Sequence, residues 1–70
     1  MADSDEKIRL DKWLWAARFF KTRALATSAV NGGKVHLSGQ RVKASRPVKL
    51  QDCYQIHRGS ERLEVIVTGL

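Results

Sequence analysis

Basic side chains that lack acidic neighbours are the feature of this sequence that bears most directly on chemistry. Between Asp11 and Asp52 the sequence contains no acidic residue. The same segment carries nine basic residues, which are Lys12, Arg18, Lys21, Arg23, Lys34, Arg41, Lys43, Arg46 and Lys49. Uncompensated like charges repel one another in a compact fold, and they usually mark a surface that binds a polyanion. With a formal net charge of +6, the sequence indicates a nucleic acid partner rather than a merely soluble basic surface.

A phosphate site is predicted at the start of the second helix. Lys21 and Arg23 flank Thr22, the natural N-cap, at the end where the helix dipole already places roughly half a positive charge. Two cations at that end are unfavourable for the helix unless an anion is bound there. Free N–H groups, the Thr22 hydroxyl and both cations would then converge on a phosphate. Accidental placement on a solvated surface is the alternative.

A second basic cluster is predicted on the first β-hairpin. Lys34, His36, Arg41 and Lys43 occupy alternate positions, so their side chains would project from one face of a short sheet. Gln40 at the turn is a candidate for reading a base or a ribose hydroxyl. The two clusters would form one groove if this face lay beside the start of the second helix, which the sequence alone does not establish.

Candidate catalytic and metal-binding residues are few. Asp11 is the only carboxylate before residue 52 outside the acidic N-terminal stretch, so no paired acid and base are evident. Cys53, His36 and His57 lack both C-x-x-C spacing and a fourth ligand. Gly32-Gly33 is a helix-end signal rather than a phosphate loop. We therefore expect no enzyme activity, no cofactor and no metal.

Two helices must position the basic groups. Leu10, Trp13, Leu14 and Ala17 form one apolar stripe that predicts a helix over residues 9–18, and Phe20 would continue the stripe if the helix ran on. The opposite side gathers Asp11, Lys12, Trp15, Arg18 and Phe19. We expect Phe19 in the core, whereas Trp15 is open between the core and stacking on a base. A second helix is predicted over residues 22–31, from the Thr22 cap to Asn31-Gly32-Gly33.

The hydrophobic period changes from 3.6 to 2 after Gly33. Strands are predicted over residues 34–37, 40–43, 53–58 and 63–67, with turns at Ser38-Gly39 and Gly59-Ser60. Val35, Leu37 and Val42 would face the core, residues 44–47 would form a loop, and Val48 and Leu50 would lead into the third strand. The predicted fold class is α+β, with a two-helix hairpin packed on a small antiparallel sheet of four to five strands.

Length and cysteine content indicate one small domain. Seventy residues are enough for a single core, which we expect over residues 8–68, after an acidic mobile tail at residues 1–7. The single cysteine, Cys53, excludes an internal disulfide and fits a reducing, cytoplasmic compartment. No apolar run approaches a membrane span. We expect a monomer that is not associated with membranes.

The motifs in this order resemble a known family. Arg9-Leu10-Asp11-Lys12, Thr22-Arg23 with Ala26 and Val30, Gly33-Lys34-Val35 and Ser38-Gly39 resemble the αL RNA-binding motif, which is named for the fourth protein of the small ribosomal subunit. Within that motif, the run RLDKWLWAARFFKTR at residues 9–23 closely resembles the ribosome-associated heat shock protein 15 family. The resemblance extends over about residues 8–67.

The resemblance implies an RNA site built from the start of the second helix and the first hairpin. Carried over by position, the residues expected to face RNA are Arg9, Lys12, Lys21, Thr22, Arg23, Lys34, Gln40, Arg41 and Lys43, with Asp11 orienting neighbouring basic groups. Arg18, His36 and Arg46 complete the predicted RNA-binding set. The implied function is binding of ribosomal RNA, on free large subunits that carry nascent chains.

Three departures from the family pattern stand out. Ser38-Gly39 replaces the usual Asn-Gly of the hairpin, and Gln51-Asp52 replaces a common Gly-Asp, so the turn there could differ. The resemblance also implies a basic C-terminal extension in relatives, which we expect to be absent after Gly69-Leu70.

Two other functions remain open from the sequence. A DNA-binding helix–turn–helix regulator also has two short-linked helices and basic charge, and weaker DNA binding could accompany RNA binding. Against a regulator, the second helix is alanine-rich and lacks an array of Arg, Asn and Gln. The other alternative is the RNA-docking domain of a modifying enzyme.

Overall fold

The order of elements is two helices followed by four strands. The structure is a computed structural model that describes residues 8–69, so the predicted tail at residues 1–7 lies outside the described residues. The helices are α1 (Leu10–Ala16) and α2 (Arg23–Asn31). The strands are β1 (Val35–Leu37), β2 (Gln40–Arg41), β3 (Cys53–Arg58) and β4 (Glu61–Ile66). The predicted α+β class and element order are confirmed.

The four strands form one antiparallel sheet in the order β2-β1-β3-β4. Ser38 and Gly39 both have positive φ, as the tight two-residue turn between β1 and β2 requires. The longest pairing joins β3 to β4 through the predicted turn at Gly59-Ser60, from Cys53 opposite Ile66 to Arg58 opposite Glu61. The sheet has four strands, the lower of the two numbers that the sequence predicts.

Apolar residues from both layers meet in one core. Its buried members are Leu10, Leu14, Ala26, Ala29, Val30, Val35, Ala44, Val48, Tyr54, Ile56 and Val67. Trp13 lies at the edge of this core, with its ring centroid 5.8 Å from that of Phe19 and 5.7 Å from that of Tyr54. Phe19, Phe20, Leu37 and Val42 also pack against the core. The predicted core position of Phe19 is confirmed.

Helix α1 ends earlier than its apolar stripe predicts. The backbone N–H of Phe19 donates to the Leu14 carbonyl, and that of Arg18 donates to the Trp15 carbonyl, which is the Schellman ending of a helix. Arg18 itself has a φ of 67°, a conformation that costs a residue other than glycine about 1 kcal/mol. The predicted extension to residue 18 is therefore wrong, and Ala17, predicted to be apolar-facing, is exposed.

The buried side of α1 also differs from the prediction. Asp11 was expected on the polar side, but it is only 2% exposed and lies beside Leu10 and Leu14. A carboxylate can occupy such a position because the adjacent Arg9 and the distant Arg23 neutralise it, and hydrophobic periodicity does not register these partners.

Helix α2 has the predicted boundaries. The Thr22 side chain accepts a hydrogen bond from the Leu25 backbone N–H at 3.1 Å, which confirms the N-cap. At the other end, Gly33 has a φ of +79°, and the Lys34 N–H donates to the Ala29 carbonyl. Both helices thus end in the same motif, with Gly33 in the left-handed position of α2 and Arg18 in that of α1.

The segment between β2 and β3 packs against the start of α1. Pro47 forms an isolated β-bridge with Arg9, and the Val48 N–H donates to the Ile8 carbonyl. Val48 is buried, whereas Leu50 is exposed, so only the former contributes to the core. Gln51 has a φ of 74°, so the turn expected from the family's Gly-Asp is retained with a residue other than glycine.

Replacing Gln51 by glycine tests this strained turn. We expect Gln51→Gly to leave the free energy of unfolding unchanged or to raise it by up to about 1 kcal/mol, because relief of the left-handed strain opposes the added entropy of the unfolded chain. Gln51→Ala keeps the strain and serves as the control. Urea unfolding would measure both, and a Gly variant less stable than the Ala variant would contradict the assignment.

Candidate nucleic-acid interface

The Asp11 carboxylate is the centre of a small cluster on the two helices. Its Oδ2 accepts a hydrogen bond from Arg9 Nη2 at 3.0 Å, and the Thr27 hydroxyl lies 3.0 Å from the same oxygen. The other oxygen, Oδ1, lies 3.3 Å from Arg23 Nη2. The Arg9 and Arg23 side chains remain 53% and 45% exposed. One buried acid therefore forms ion pairs with two partly exposed guanidinium groups, one at each carboxylate oxygen, and only the Arg9 contact is a hydrogen bond, since Oδ1 has no hydrogen-bond partner within residues 8–69.

The charge state of this cluster follows from opposing effects. Burial favours the neutral form of Asp11, but the hydrogen bonds from Arg9 and Thr27 and the charge of Arg23 outweigh it, so the pKa of Asp11 lies below its usual value. Asp11 is therefore ionised at neutral pH. It lies in the first turn of α1 and faces Arg23 in the first turn of α2, so its negative charge is favourable at both helix starts.

The polar side of α2 continues this cluster along the helix. Arg23, Thr27 and Asn31 follow at intervals of four residues, so they lie on one face of α2. Near the end of α2, Arg41 Nη2 donates to the Asn31 carbonyl at 2.9 Å. Near its start, the Asp11 backbone N–H donates to the Ala44 carbonyl at 3.2 Å. The segment from Arg41 to Ala44 therefore runs beside this face of α2.

We call this continuous surface the Asp11 face. It comprises the buried carboxylate and the exposed or half-buried polar groups around it, which are Arg9, Asp11, Arg23, Thr27, Asn31, Arg41 and Lys43. Thr27 and Asn31 were absent from the predicted set. The spacing of four residues from Arg23 was the signal that could have identified them, but it becomes informative only once the position of Asp11 is known.

The remaining predicted residues lie in several places. Arg18 and Lys21 line a groove beside Trp15, whereas the Arg23 guanidinium turns to Asp11. Lys21 and Arg23 thus have different neighbours in this structure, and the phosphate site beside Thr22 stays a prediction. Lys12 is exposed on α1, and Gln40 is exposed at the hairpin.

The hairpin cluster is placed only in part as predicted. His36 is paired with Arg41 across the two strands, so both start from one face of the sheet, and Lys34 lines the same surface as His36. Lys43 lies beyond β2, which ends at Arg41. The Arg41 side chain reaches the end of α2, so the first hairpin meets the second helix at its end rather than its start.

Arg46 is engaged within the fold. Its Nη2 lies 3.2 Å from Asp52 Oδ2, and its Nε donates to the Tyr54 hydroxyl at 3.2 Å. The Tyr54 hydroxyl donates in turn to Asp52 at 2.9 Å. Burial raises the pKa of Tyr54 to about 12, so its proton stays available for this bond. The three residues fasten the segment between β2 and β3 to the sheet.

Two of the nine basic residues between Asp11 and Asp52 form ion pairs with acids. Arg23 pairs with Asp11 and Arg46 pairs with Asp52, the two acids that bound the segment in sequence. The prediction that all nine charges are uncompensated is therefore wrong, because the fold brings Asp11 and Asp52 into contact with Arg23 and Arg46. Within residues 8–69 the other seven form no ion pair.

The helices and the first hairpin match a known protein family. The family model described as the S4 domain matches residues 8–52, which is more than half of the chain and includes the whole Asp11 face. The chain belongs to the S4 domain family. The S4 match ends just before β3, so the long β3–β4 hairpin lies beyond it.

Relatives of this S4 domain support the resemblance seen in the sequence. Heat shock protein 15 of Escherichia coli K12 is 52% identical over 64 residues, which are 91% of this chain and 48% of that protein. The RQC P-site tRNA stabilizing factor of Helicobacter pylori 26695 is 38% identical over 61 residues, 84% of this chain and 73% of that protein. The chain thus spans about half the length of the heat shock protein 15 relatives that it matches.

A solved relative confirms the fold of the S4 domain. Heat shock protein 15 of Vibrio cholerae, 47% identical, matches with a TM-score of 0.88 over 91% of this chain and 65% of that chain. The resemblance to the heat shock protein 15 family and the predicted architecture are confirmed. That structure is a trimer, so our expectation of a monomer stays a prediction.

Two further features were sought among the described residues, a cluster of metal-binding side chains and a membrane-spanning helix. Among residues 8–69 no group of three or more His, Cys, Asp or Glu side chains is arranged to hold a metal ion. No helix in the same range is long and apolar enough to span a membrane.

Acid unfolding tests the charge of the Asp11 cluster. A carboxyl whose pKa is lower in the folded state stabilises the fold above its unfolded pKa, near 3.8 for Asp11, and this contribution is lost as pH falls through the folded pKa. We expect Asp11→Asn to cost about 1–3 kcal/mol at pH 7 and to weaken the loss of stability below about pH 4.

Thr27→Val provides a second test, because it removes one donor and keeps the charge. It should destabilise the fold by roughly 1 kcal/mol at pH 7, and the exposed neighbour Ser28→Ala serves as its control. Urea unfolding between pH 2 and 7 would measure all variants. An acid profile of Asp11→Asn identical to that of the wild type would contradict the assignment.

Proposed function

We propose that this S4 domain binds structured RNA through the Asp11 face. The observation that carries the proposal is the geometry of Arg9 and Arg23, whose exposed guanidinium groups are both held by one buried carboxylate. A guanidinium has five N–H donors, so contact with Asp11 leaves others for phosphate oxygens. Arg41 contacts the end of α2 and Lys43 is exposed on the same segment, so both add positive charge beside α2. Neutralising phosphates with such groups is the main source of affinity for nucleic acids.

The packing of α2 favours RNA over recognition of a DNA major groove. A recognition helix must present an array of base-reading side chains to the groove. The polar face of α2 is instead flanked by Asp11 and by the segment from Arg41 to Ala44. Its exposed residues elsewhere include Ala24, Leu25 and Ser28, which offer few hydrogen bonds to base edges.

Ribosomal RNA of the large subunit is the proposed target, on free large subunits that carry nascent chains. Support comes from the similarity to heat shock protein 15 and to a relative named as stabilising a P-site tRNA. The domain acts in this proposal as a binding module in the cytoplasm rather than as an enzyme. The free thiol of Cys53 accords with a reducing compartment.

Salt dependence of binding separates phosphate contacts from a general effect of charge. We expect Arg9→Ala and Arg23→Ala each to weaken binding to a structured ribosomal RNA fragment and to lower the slope of log K against log salt by about 0.7–0.9. Lys49→Ala is the control, because it removes one positive charge at an exposed residue that is outside the predicted RNA-binding set and forms no ion pair within residues 8–69. Fluorescence anisotropy from 50 to 300 mM salt would measure the slopes.

Equal slopes for the wild type, Arg9→Ala and Arg23→Ala would contradict the assignment of the Asp11 face. Competition between structured RNA and duplex DNA of equal length tests the class of partner. Preference for the RNA would support the proposal, whereas tighter binding to the duplex DNA would overturn it in favour of a DNA-binding regulator.

A further inference from the structure

A groove beside the junction of the two helices contains an unusual combination of side chains. It has a volume of about 860 Å³ and lies between the end of α1, the start of α2 and β3. Apolar surface comes from Trp15, Phe20 and Leu25, and positive charge comes from Arg18, Lys21 and Arg58. The groove is lined by no acidic residue from the described part of the chain. We call this surface the Trp15 groove.

Trp15 does not serve the core. Its side chain is 44% exposed, and the neighbouring Leu25 is 50% exposed. The aromatic contacts of the core are made by Trp13 instead, with Phe19 and Tyr54. An exposed indole on a small domain is a platform for another planar group, because stacking removes apolar surface from water.

The cations of the groove divide into structural and available groups. Arg58 Nη1 donates to the Phe19 carbonyl at 2.8 Å, and its Nη2 is paired with Glu61 at 2.9 Å, so this side chain secures the turn after α1. Arg18 and Lys21 form no ion pair within residues 8–69. Arg18 moreover occupies the left-handed position that favours glycine, so this position carries backbone strain that glycine would relieve.

A planar apolar platform beside free cations fits an unpaired nucleotide. Proteins that bind single-stranded RNA stack bases on aromatic side chains and track the phosphates with basic residues. A second copy that packed its own groove against this one is a poorer occupant, because Arg18 and Lys21 would then face like charges. The consecutive residues Lys21, Thr22 and Arg23 also connect the Trp15 groove to the Asp11 face, so one RNA could reach both surfaces.

We propose that the Trp15 groove binds an unpaired nucleotide of RNA, with the base stacked on the Trp15 indole and the adjacent phosphates held by Arg18 and Lys21. The inference rests on the proposed function, since it adds a single-stranded contact to a domain that binds structured RNA through a different face. It also assigns a role to Trp15, which the sequence left open between core and stacking.

Tryptophan fluorescence of the 70-residue chain gives a direct readout. We expect an eight-nucleotide oligouridine to quench the emission of the wild-type protein, and a blunt RNA duplex to quench it far less. Trp15→Phe keeps an aromatic platform but removes the reporter, so the quenching should disappear while Trp13 continues to emit. Quenching of equal size in Trp15→Phe would overturn the proposal, because the signal would then come from Trp13.

Affinity for the same oligouridine provides the second readout. Trp15→Ala should weaken binding roughly tenfold, within the range found for loss of a stacking aromatic residue. Ile66→Ala is the matched control, because Ile66 is an exposed apolar residue on β4 and should bind as the wild type does. Arg18→Gly should weaken binding without lowering the melting temperature, since glycine relieves the strain at that position.

The outcomes distinguish this inference from the proposed function. If Trp15→Ala binds oligouridine as the wild type does, while Arg23→Ala still weakens binding to structured RNA, the inference fails and the proposed function stands. If the wild type binds neither RNA, the proposed function itself fails. If Trp15→Ala changes only the sedimentation of the protein, the groove is a contact between copies of the chain, and the inference is overturned.

Discussion

The burial of one carboxylate is the constraint on which the interface depends. Asp11 carries its charge into the contact between α1 and α2, where an unpaired charge would be strongly unfavourable. Arg9 and the Thr27 hydroxyl contact one oxygen and Arg23 the other, while the Asp11 backbone N–H holds the Ala44 carbonyl. A single residue therefore fixes the relation between two helices and a loop. The same contacts hold two guanidinium groups in place before any ligand arrives, which lowers the entropy that binding must overcome.

Arginines and lysines have different tasks in this domain. Five arginines contact protein oxygens, and they are Arg9, Arg23, Arg41, Arg46 and Arg58. Their planar, multiply donating heads suit such fixed geometry. The lysines of the acid-free segment form no ion pair within residues 8–69. We infer that the arginines give the surface its shape, and that the lysines supply much of its diffuse positive potential.

Local patterns were sufficient to predict much of the fold. The Thr22 cap, the Ser38-Gly39 turn and the alternation over residues 53–58 each depend on near neighbours in the sequence, and each is confirmed. The end of α1 was not predictable in the same way, because its left-handed position is occupied by Arg18 rather than by glycine. The burial of Asp11 was not predicted either. A charged residue next to an apolar stripe is ordinarily solvated, and only the tertiary contacts show that Asp11 is not.

The distribution of the basic residues over the surface was the least predictable feature. Lys21 and Arg23 are separated by one residue, yet their side chains serve different surfaces because Asp11 attracts only the second. Arg46 is predicted to face RNA, and in the fold its side chain contacts Asp52 and Tyr54. For Arg23 and for Arg46, a partner distant in sequence sets the orientation of the side chain. The spacing of residues in the sequence does not identify such a partner.

The most direct test of this account is the affinity of the Asp11→Asn variant for structured RNA, measured by anisotropy at pH 7 and moderate salt, where the variant remains folded. Removal of a negative charge should strengthen binding to a polyanion if net charge alone governs affinity. We predict the opposite sign, with affinity reduced several-fold because Arg9 and Arg23 lose the group that positions them. Binding by Asp11→Asn that equals or exceeds that of the wild type would contradict it.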